Sequence, residues 1–255
     1  MLEENYKRAA FLLALFALVG ITIAASSAPS ATPIPILVEL FTSEGCSDCP
    51  PADSFLRTLD STQPVSGAQL IVLEEHVDYW DDLGWRDPFS SHALTLRQED
   101  YVGRLRLASA YTPQMVVDGA YQFVGSNRRS ASKAFEDARS STKAGIRISS
   151  LKLENGKLLA HVDTDALPSK ADIYLALAIE HAESQVLRGE NGGQHLEHVA
   201  IVKNLEKIGK VEKGQAFSRE ISLNLKLDQP GRVVVFVQEP NQGRILGAAV
   251  QSFKN

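Results

Sequence analysis

The chain has 255 residues, of which 44% are apolar and 22% charged, with a formal charge of −5 at neutral pH. That length allows one large domain or two ordinary ones, and the composition fits a packed core rather than disorder. The acidic balance, with no basic run beyond Arg128-Arg129, excludes nucleic acid as a partner, because a phosphate-binding surface needs a basic excess.

The first segment, 1–33, is expected to lie outside the fold. Lys7 and Arg8 precede an uncharged run from Ala9 to Ala25, and Ser26 to Pro35 is small and proline-rich. A charged start, an apolar stretch and a tail of small residues read as a secretory signal peptide. The run of 17 residues also reaches the lower limit for a membrane span, so an uncleaved inner-membrane anchor followed by a linker is the alternative. On either reading the body is exported, periplasmic or secreted.

From 34 to 144 strand and helix patterns alternate. Ile36 to Phe41 is a short apolar run of strand length, and Pro50 to Leu59 carries Ala52, Phe55, Leu56 and Leu59 at helical spacing. Leu70 to Leu73, extending towards Val77, reads as a second strand, and 92–109 as a helix. Met115 to Val117 and Tyr121 to Val124 flank Asp118-Gly119, a hairpin-turn signal. Arg128 to Thr142 closes the series with a polar, alanine-rich helix, giving the order β-α-β-α-β-β-α.

After Gly145 the period becomes two. Ile146 to Leu153 leads to Asn155-Gly156, a turn signal, and Leu158 to Val162 returns. Alternation recurs at Asp172 to Ile179 and at Ile221, Leu223, Leu225 and Leu227, and apolar runs follow at Val233 to Val237 and Ile245 to Val250. Within this half only Leu196 to Leu205 reads as helical. The expected fold is therefore an α/β domain over 34–144 followed by an all-β, sandwich-like domain over 145–255.

The only two cysteines stand at Cys46-Ser47-Asp48-Cys49, between the first strand and the first helix. No other cysteine exists to pair with, and a bridge across a two-residue gap closes almost no chain loop, so it stabilises little through the unfolded state. Chemistry explains the pair better than stapling does. Proline is tolerated in the first helical turn, so Pro50 and Pro51 put the helix start at or after Asp48, with Ser47 as N-cap. Cys46 is then exposed and attacks, while Cys49 lies inside the first turn and resolves. The helix N-terminus favours a thiolate by about 0.3–1 kcal/mol, and Asp48 opposes it by roughly 1–3 kcal/mol. A weakly stabilised thiolate makes a less oxidising couple, which favours electron donation or isomerisation over strong oxidation.

Several blocks now share one resemblance. Val38-Glu39-Leu40-Phe41-Thr42-Ser43-Glu44-Gly45-Cys46-Ser47-Asp48-Cys49-Pro50-Pro51-Ala52-Asp53 resembles the signature of a secreted bacterial family of unknown function with a thioredoxin-like N-terminal half. His76-Val77-Asp78-Tyr79-Trp80, Leu83-Gly84-Trp85, Asp87-Pro88-Phe89, Tyr111-Thr112-Pro113-Gln114-Met115-Val116 and Arg188-Gly189-Glu190-Asn191-Gly192-Gly193 resemble its other blocks. The resemblance spans roughly 36–250. It implies a thioredoxin-like fold and a redox-site architecture, with a cis peptide at Pro113 opposite the dithiol and Thr112 presenting its backbone to an extended substrate. The chain departs from the thioredoxin pattern in lacking a Trp before Cys46 and a Gly-Pro between the cysteines.

Other residues carry two readings each. The insertion from His76 to Phe89 is either an aromatic substrate platform of Trp80 and Trp85, with His76 or Asp78 transferring a proton, or an ordered loop packed on its own aromatics with Asp at turns. Gly189 to Gly193 fits no phosphate-loop motif and reads as a loop between strands that is free to reach across to the dithiol. The resulting expectation is a thiol–disulfide oxidoreductase acting on protein or small thiols and disulfides, with no cofactor beyond its redox-active disulfide. The alternatives are a copper or zinc carrier using Cys46, Cys49 and His76, and a non-catalytic binding module. His195 and His198, spaced HxxH, fall in the other half of the chain and are not counted with that ligand set.

Overall fold

The structure is a computed structural model that describes residues 32–154, 156–224 and 229–254. The signal segment up to residue 31, Asn155 of the predicted turn and the predicted strand continuation at Leu225 and Leu227 lie outside the described residues. The elements run β1 (Ile34–Thr42), α1 (Pro50–Thr62), β2 (Ala68–His76), α2 (His92–Leu105), β3 (Gln114–Val117), β4 (Tyr121–Val124) and α3 (Arg128–Arg139). Strands follow: β5 (Ile146–Glu154), β6 (Lys157–Thr164), β7 (Ala171–Gln185), β8 (His195–Val211), β9 (Ser218–Asn224), β10 (Gly231–Gln238) and β11 (Ile245–Phe253). No helix among the described residues is long and apolar enough to cross a membrane.

These elements do not assemble into a thioredoxin-like α/β domain followed by a β-sandwich. Eight strands form one mixed sheet in the order β11-β10-β7-β8-β2-β1-β3-β4, and β5-β6-β9 form a second, small sheet. The large sheet draws four strands from each half of the chain, and the expected boundary at 144/145 falls in the link between α3 and β5. The join is β2 against β8, parallel, at Glu74 and Ile201. Periodicity reveals which faces of a strand are covered, but not which strand lies along its edge. That is why the join was missed.

Both faces of the large sheet are packed. Ile36, Val38 and Leu40 of β1 point to the side covered by Phe55, Leu56 and Leu59 of α1 and by Ala131 and Phe135 of α3. Leu37 points to the other side, where it meets Ile71, Leu73 and Leu94 together with Ala176, Val202 and Phe236 from the second half. The small sheet covers β7 and β10 through Leu158, Ala160, Ile221 and Leu223 against Ile173, Leu175, Val233 and Val235. Segment 196–205 is strand, not helix. Residues 198–202 are all buried, so no period of two survives there; a register shift opposite Leu177/Ala178 and a positive φ of 53° at Ala200 disturb the pattern further.

One charge is sealed between these layers. Arg97 of α2 is buried, and its Nε donates to Glu39 Oε1 of β1 at 2.6 Å. Tyr101 Oη donates to Glu39 Oε2 at 2.6 Å, and Arg97 also reaches Gln238 of β10 at 3.3 Å. Removing one partner of a buried pair strands the other without compensation, at a cost of about 3–5 kcal/mol. Arg97→Met is therefore expected to lower the unfolding free energy by about that amount in urea denaturation; a loss below about 1 kcal/mol would mean that Glu39 is satisfied without Arg97.

Candidate functional site

The CxxC loop leaves the C-terminal end of β1 and turns tightly into α1. Cys46 N–H donates to Ser43 O at 3.1 Å, and Cys49 N–H donates to Cys46 O at 3.1 Å. Pro50 and Pro51 occupy the first helical positions, and the N-cap is Cys49 rather than Ser47, with no side-chain cap bond. Cys46 and Cys49 form a disulfide, with their Cα atoms 5.4 Å apart. Cys46 is 1% exposed and Cys49 is fully buried. The expectation that Cys46 stands open to solvent is corrected on this point.

What covers the disulfide is the connection between β7 and β8, residues 186–194. Asn191, itself buried, donates through Nδ2 to Glu44 O and to Cys46 O, each at 2.9 Å. Glu190 Oε2 accepts the Ser47 N–H at 3.0 Å. The covering loop is gripped from its other side by the insertion after β2. Gly84 and Gly189, both at positive φ, meet backbone to backbone: a Cβ on Gly84 would lie 3.3 Å from Gly189 Cα. Glycine is the residue that permits such an approach in this conformation. The glycine-rich segment read as a loop between strands is one, and it reaches the dithiol.

The two tryptophans complete the walls. Trp80 Nε1 donates to Thr112 Oγ1 at 2.9 Å, and Trp80 Cβ lies 3.0 Å from where a Cβ on Gly45 would stand. Trp85 Nε1 donates to Glu44 Oε2 at 2.7 Å. The Thr112–Pro113 peptide is cis. Pro113 borders Gly125 beside Leu40 and Ala52, at the first turn of α1. Cys46, Cys49, Trp80, Trp85, Thr112 and Pro113 are thus gathered around one loop. Asp78 is turned elsewhere: its carboxylate accepts from Thr95 Oγ1 at 2.6 Å and lies 3.1 Å from His92 Nδ1, both in the first turn of α2.

His76 belongs to a second, buried constellation made of Thr42, Glu44, Asp53, Glu74, Asp87 and His198. His76 Nδ1 lies 2.7 Å from Asp87 Oδ2, and His198 Nδ1 lies 2.7 Å from Glu74 Oε1. The second Glu74 oxygen accepts the Val199 N–H at 2.8 Å. The two imidazoles meet edge to face with centroids 4.8 Å apart. His198 Nε2 is 3.4 Å from Glu44 Oε1, and Thr42 Oγ1 donates to Asp53 Oδ1 at 2.6 Å.

Each titration shift here has a physical cause. Burial and the Glu74 carboxylate push Asp53 up to about 7. Burial disfavours charge on His76 and His198, yet Asp87 outweighs it and raises His76 to about 9, while Glu74 raises His198 to about 11. Burial likewise raises the two partner carboxylates, and the facing imidazoles overcome it to hold Glu74 and Asp87 at about 2.

Sequence reasoning passed over Glu44, Asp53, Glu74, His198 and Asn191 as site residues. One signal was present: Glu74-Glu75-His76 places three polar side chains directly after the apolar run Leu70 to Leu73, and buried charges need partners. His195 and His198 do not act as a pair, because three residues along a strand reverse the face. His195 pairs with Glu183 near the surface at 3.2 Å, while His198 turns inward. Among the described residues His76 groups with Glu74 and His198, their ligand atoms all within 4.8 Å of one another, and neither sulfur belongs to that group.

Comparison with known proteins locates the chain. A crystal structure of a protein from Agrobacterium tumefaciens is similar to it, with 25% identity and a TM-score of 0.66, covering 86% of this chain and 94% of that one. The sporulation control protein of Bacillus subtilis aligns at 12% identity over 44% of this chain and 48% of its own, with a TM-score of 0.31 that supports no statement about fold or function. No curated protein matches. The family model described as Protein of unknown function (DUF1223) matches residues 37–238, a span that takes in the CxxC loop, the aromatic insertion and the covering loop, and the chain belongs to that family.

Proposed function

We propose that this protein is an exported thiol–disulfide oxidoreductase whose CxxC pair works from beneath the 186–194 loop. The observation that carries the reading is the buried Cys46–Cys49 disulfide at the first turn of α1, with the 186–194 loop hydrogen-bonded to its backbone. With the loop lifted, a thiolate of a protein or small-molecule partner attacks Cys46 Sγ, the sulfur–sulfur bond breaks, and Cys49 leaves as thiolate. A second partner thiolate then displaces Cys46, leaving the dithiol reduced and the two partner sulfurs joined. Running the steps backwards oxidises the dithiol and reduces a partner disulfide.

Cys46 as the attacked sulfur is supported by its position. Its carbonyl is bonded by the covering loop through Asn191. The Cys49 carbonyl is instead engaged inside α1, accepting from Ala52 N–H at 2.8 Å. Export is supported by the charged start and apolar run of the first 31 residues. Proton transfer by His76 or Asp78 finds no support in the contacts, because both are bonded away from the sulfurs. The carrier reading with Cys46, Cys49 and His76 fares no better: the sulfurs are bonded to each other, and His76 groups with Glu74 and His198.

Equilibration with glutathione buffers followed by thiol trapping tests the chemistry. The expected result is a reversible two-electron couple, with a mixed disulfide accumulating on Cys46 in the Cys49→Ser variant. Absence of any reversible couple would sink the proposal.

The cover is tested separately. Asn191→Ala removes the two hydrogen bonds that tie the loop to the disulfide segment, worth about 0.5–1.5 kcal/mol each and so about 1–3 kcal/mol together. Since 1.4 kcal/mol corresponds to about tenfold in an equilibrium, reduction by dithiothreitol is expected to quicken by about 5- to 150-fold. An unchanged rate would show that the loop does not gate the disulfide.

A further inference from the structure

A second buried cluster, on the opposite face of β2 from Glu74 and His76, holds more carboxyl groups than cations. Side chains alternate along a strand, so Glu75 points with Leu73 towards α2, into the layer that contains Glu39 and Arg97. In the parallel pairing of β1 with β2, Glu39 lies opposite Leu73 and Glu75 lies opposite Phe41, which makes the two glutamates neighbours on one face. A single nitrogen brings their carboxyl groups together. Arg97 Nε donates to Glu39 Oε1 at 2.6 Å and stands 3.7 Å from Glu75 Oε2. All three side chains are buried.

The guanidinium has no bond left for Glu75. Besides Glu39, it donates to Gln238 at 3.3 Å, to Gln242 at 3.1 Å and to Tyr101 Oη at 3.2 Å. Its 3.7 Å approach to Glu75 is outside hydrogen-bond range, and both Glu75 oxygens are buried without a partner. An ionised carboxylate in that state is so costly that the group gives up its charge instead. Two carboxyl groups at one site lead to the same end: one ionises and the other keeps its proton. Glu39 is the ionised one, because it accepts from Arg97 Nε and from Tyr101 Oη, each at 2.6 Å.

We infer that Glu75 keeps its proton in the folded protein and donates it to Glu39, so that the attachment of α2 to the sheet depends on one buried proton. Protonation turns an acceptor-only group into a donor, which gives Glu75 the partner it otherwise lacks. The charged and titratable groups facing it are Glu39 from β1 with Arg97 and Tyr101 from α2, and β10 presents the neutral Gln238. Near Glu39, Asp118 and Lys143 pair with each other at 2.6 Å. Burial, and after it the charge on Glu39, push the Glu75 carboxyl well above its ordinary 4.5, and Arg97 pulls it back by less. The competing explanation is that Arg97 neutralises both carboxylates. It would set two buried negative charges against one cation and leave both Glu75 oxygens without a donor.

Urea unfolding of the full chain across a pH series tests this, and the result does not depend on what the dithiol does. In the unfolded chain Glu75 titrates at its ordinary value, so above about pH 5 folding takes up one proton. The stability that Glu75 contributes is fully present below that ordinary value and is lost as pH rises through the folded one. Other groups titrate as well, so the reading is a comparison with Glu75→Gln, which keeps a donor and cannot ionise. The folding equilibrium constant of wild type relative to this variant is expected to fall about tenfold per pH unit from about pH 5 upwards, until the folded Glu75 ionises. Glu75→Met, neutral but without a donor, should give the same relative slope at lower overall stability. If neither variant folds, infrared spectra of the wild type labelled with heavy carbon at glutamate decide the matter, since aspartate carboxyls stay unshifted. A label-shifted band of a protonated carboxyl group is expected at neutral pH. Parallel stability curves for wild type and variants, or no protonated glutamate in the labelled protein, would overturn the inference.

Discussion

Between β2 and β8 the sheet makes one residue pair, Glu74 with Ile201, and the Glu74 carboxylate extends the join beyond it. One oxygen takes the Val199 N–H and the other faces His198 Nδ1, so a side chain substitutes for the ladder bonds that a longer pairing would supply. Burying that carboxylate is costly unless it is fully partnered. Here the partners come from the opposite half of the chain, which makes the charge a constraint on assembly. The two halves must meet in this register for Glu74 to be satisfied.

The covering loop lies at the end of β1. β7 and β8 are long strands of 15 and 17 residues, and their connection meets the residues just after β1, where Asn191 and Glu190 bond the backbone from Glu44 to Ser47. That end of a sheet is where α/β proteins commonly assemble sites. Three segments converge there: the CxxC loop, the aromatic insertion after β2 and the β7–β8 connection. Asn191 bonds the backbone at Glu44 and at Cys46, while the Glu44 side chain lies against His198. Glu44 thus connects the cover, the disulfide loop and the buried histidines.

The parts of this arrangement legible in the sequence were the local ones. Pro50 and Pro51 marked the start of α1, Asp118-Gly119 marked the turn between β3 and β4, and alternation marked β7. Each is a rule about neighbours a few residues apart. The illegible parts were long-range. Nothing in Leu70 to Val77 says that β8 lies along one edge of β2, and without that pairing Glu74, His76 and His198 look like unrelated polar residues. The burial of Cys46 was hidden for the same reason, since its cover arrives from about 145 residues further along the chain. Segment 196–205 resembled a helix because burial on both faces erased the period that identifies a strand.

Burial of the disulfide invites a purely structural explanation, and the local geometry argues against it. A staple is valuable when it joins segments that the chain would otherwise leave apart, and its effect grows with the loop it closes. Cys46 and Cys49 are already brought together by the turn bond from Cys49 N–H to Cys46 O at 3.1 Å. Pro50 and Pro51 fix the backbone on the far side. The sulfur bond therefore adds little order to a loop that its backbone and its neighbours define. On the proposed oxidoreductase reading, a cover held by a few hydrogen bonds over such a bond restricts which partners reach the sulfurs, whereas it would do nothing for a bond whose only task was to hold the loop closed.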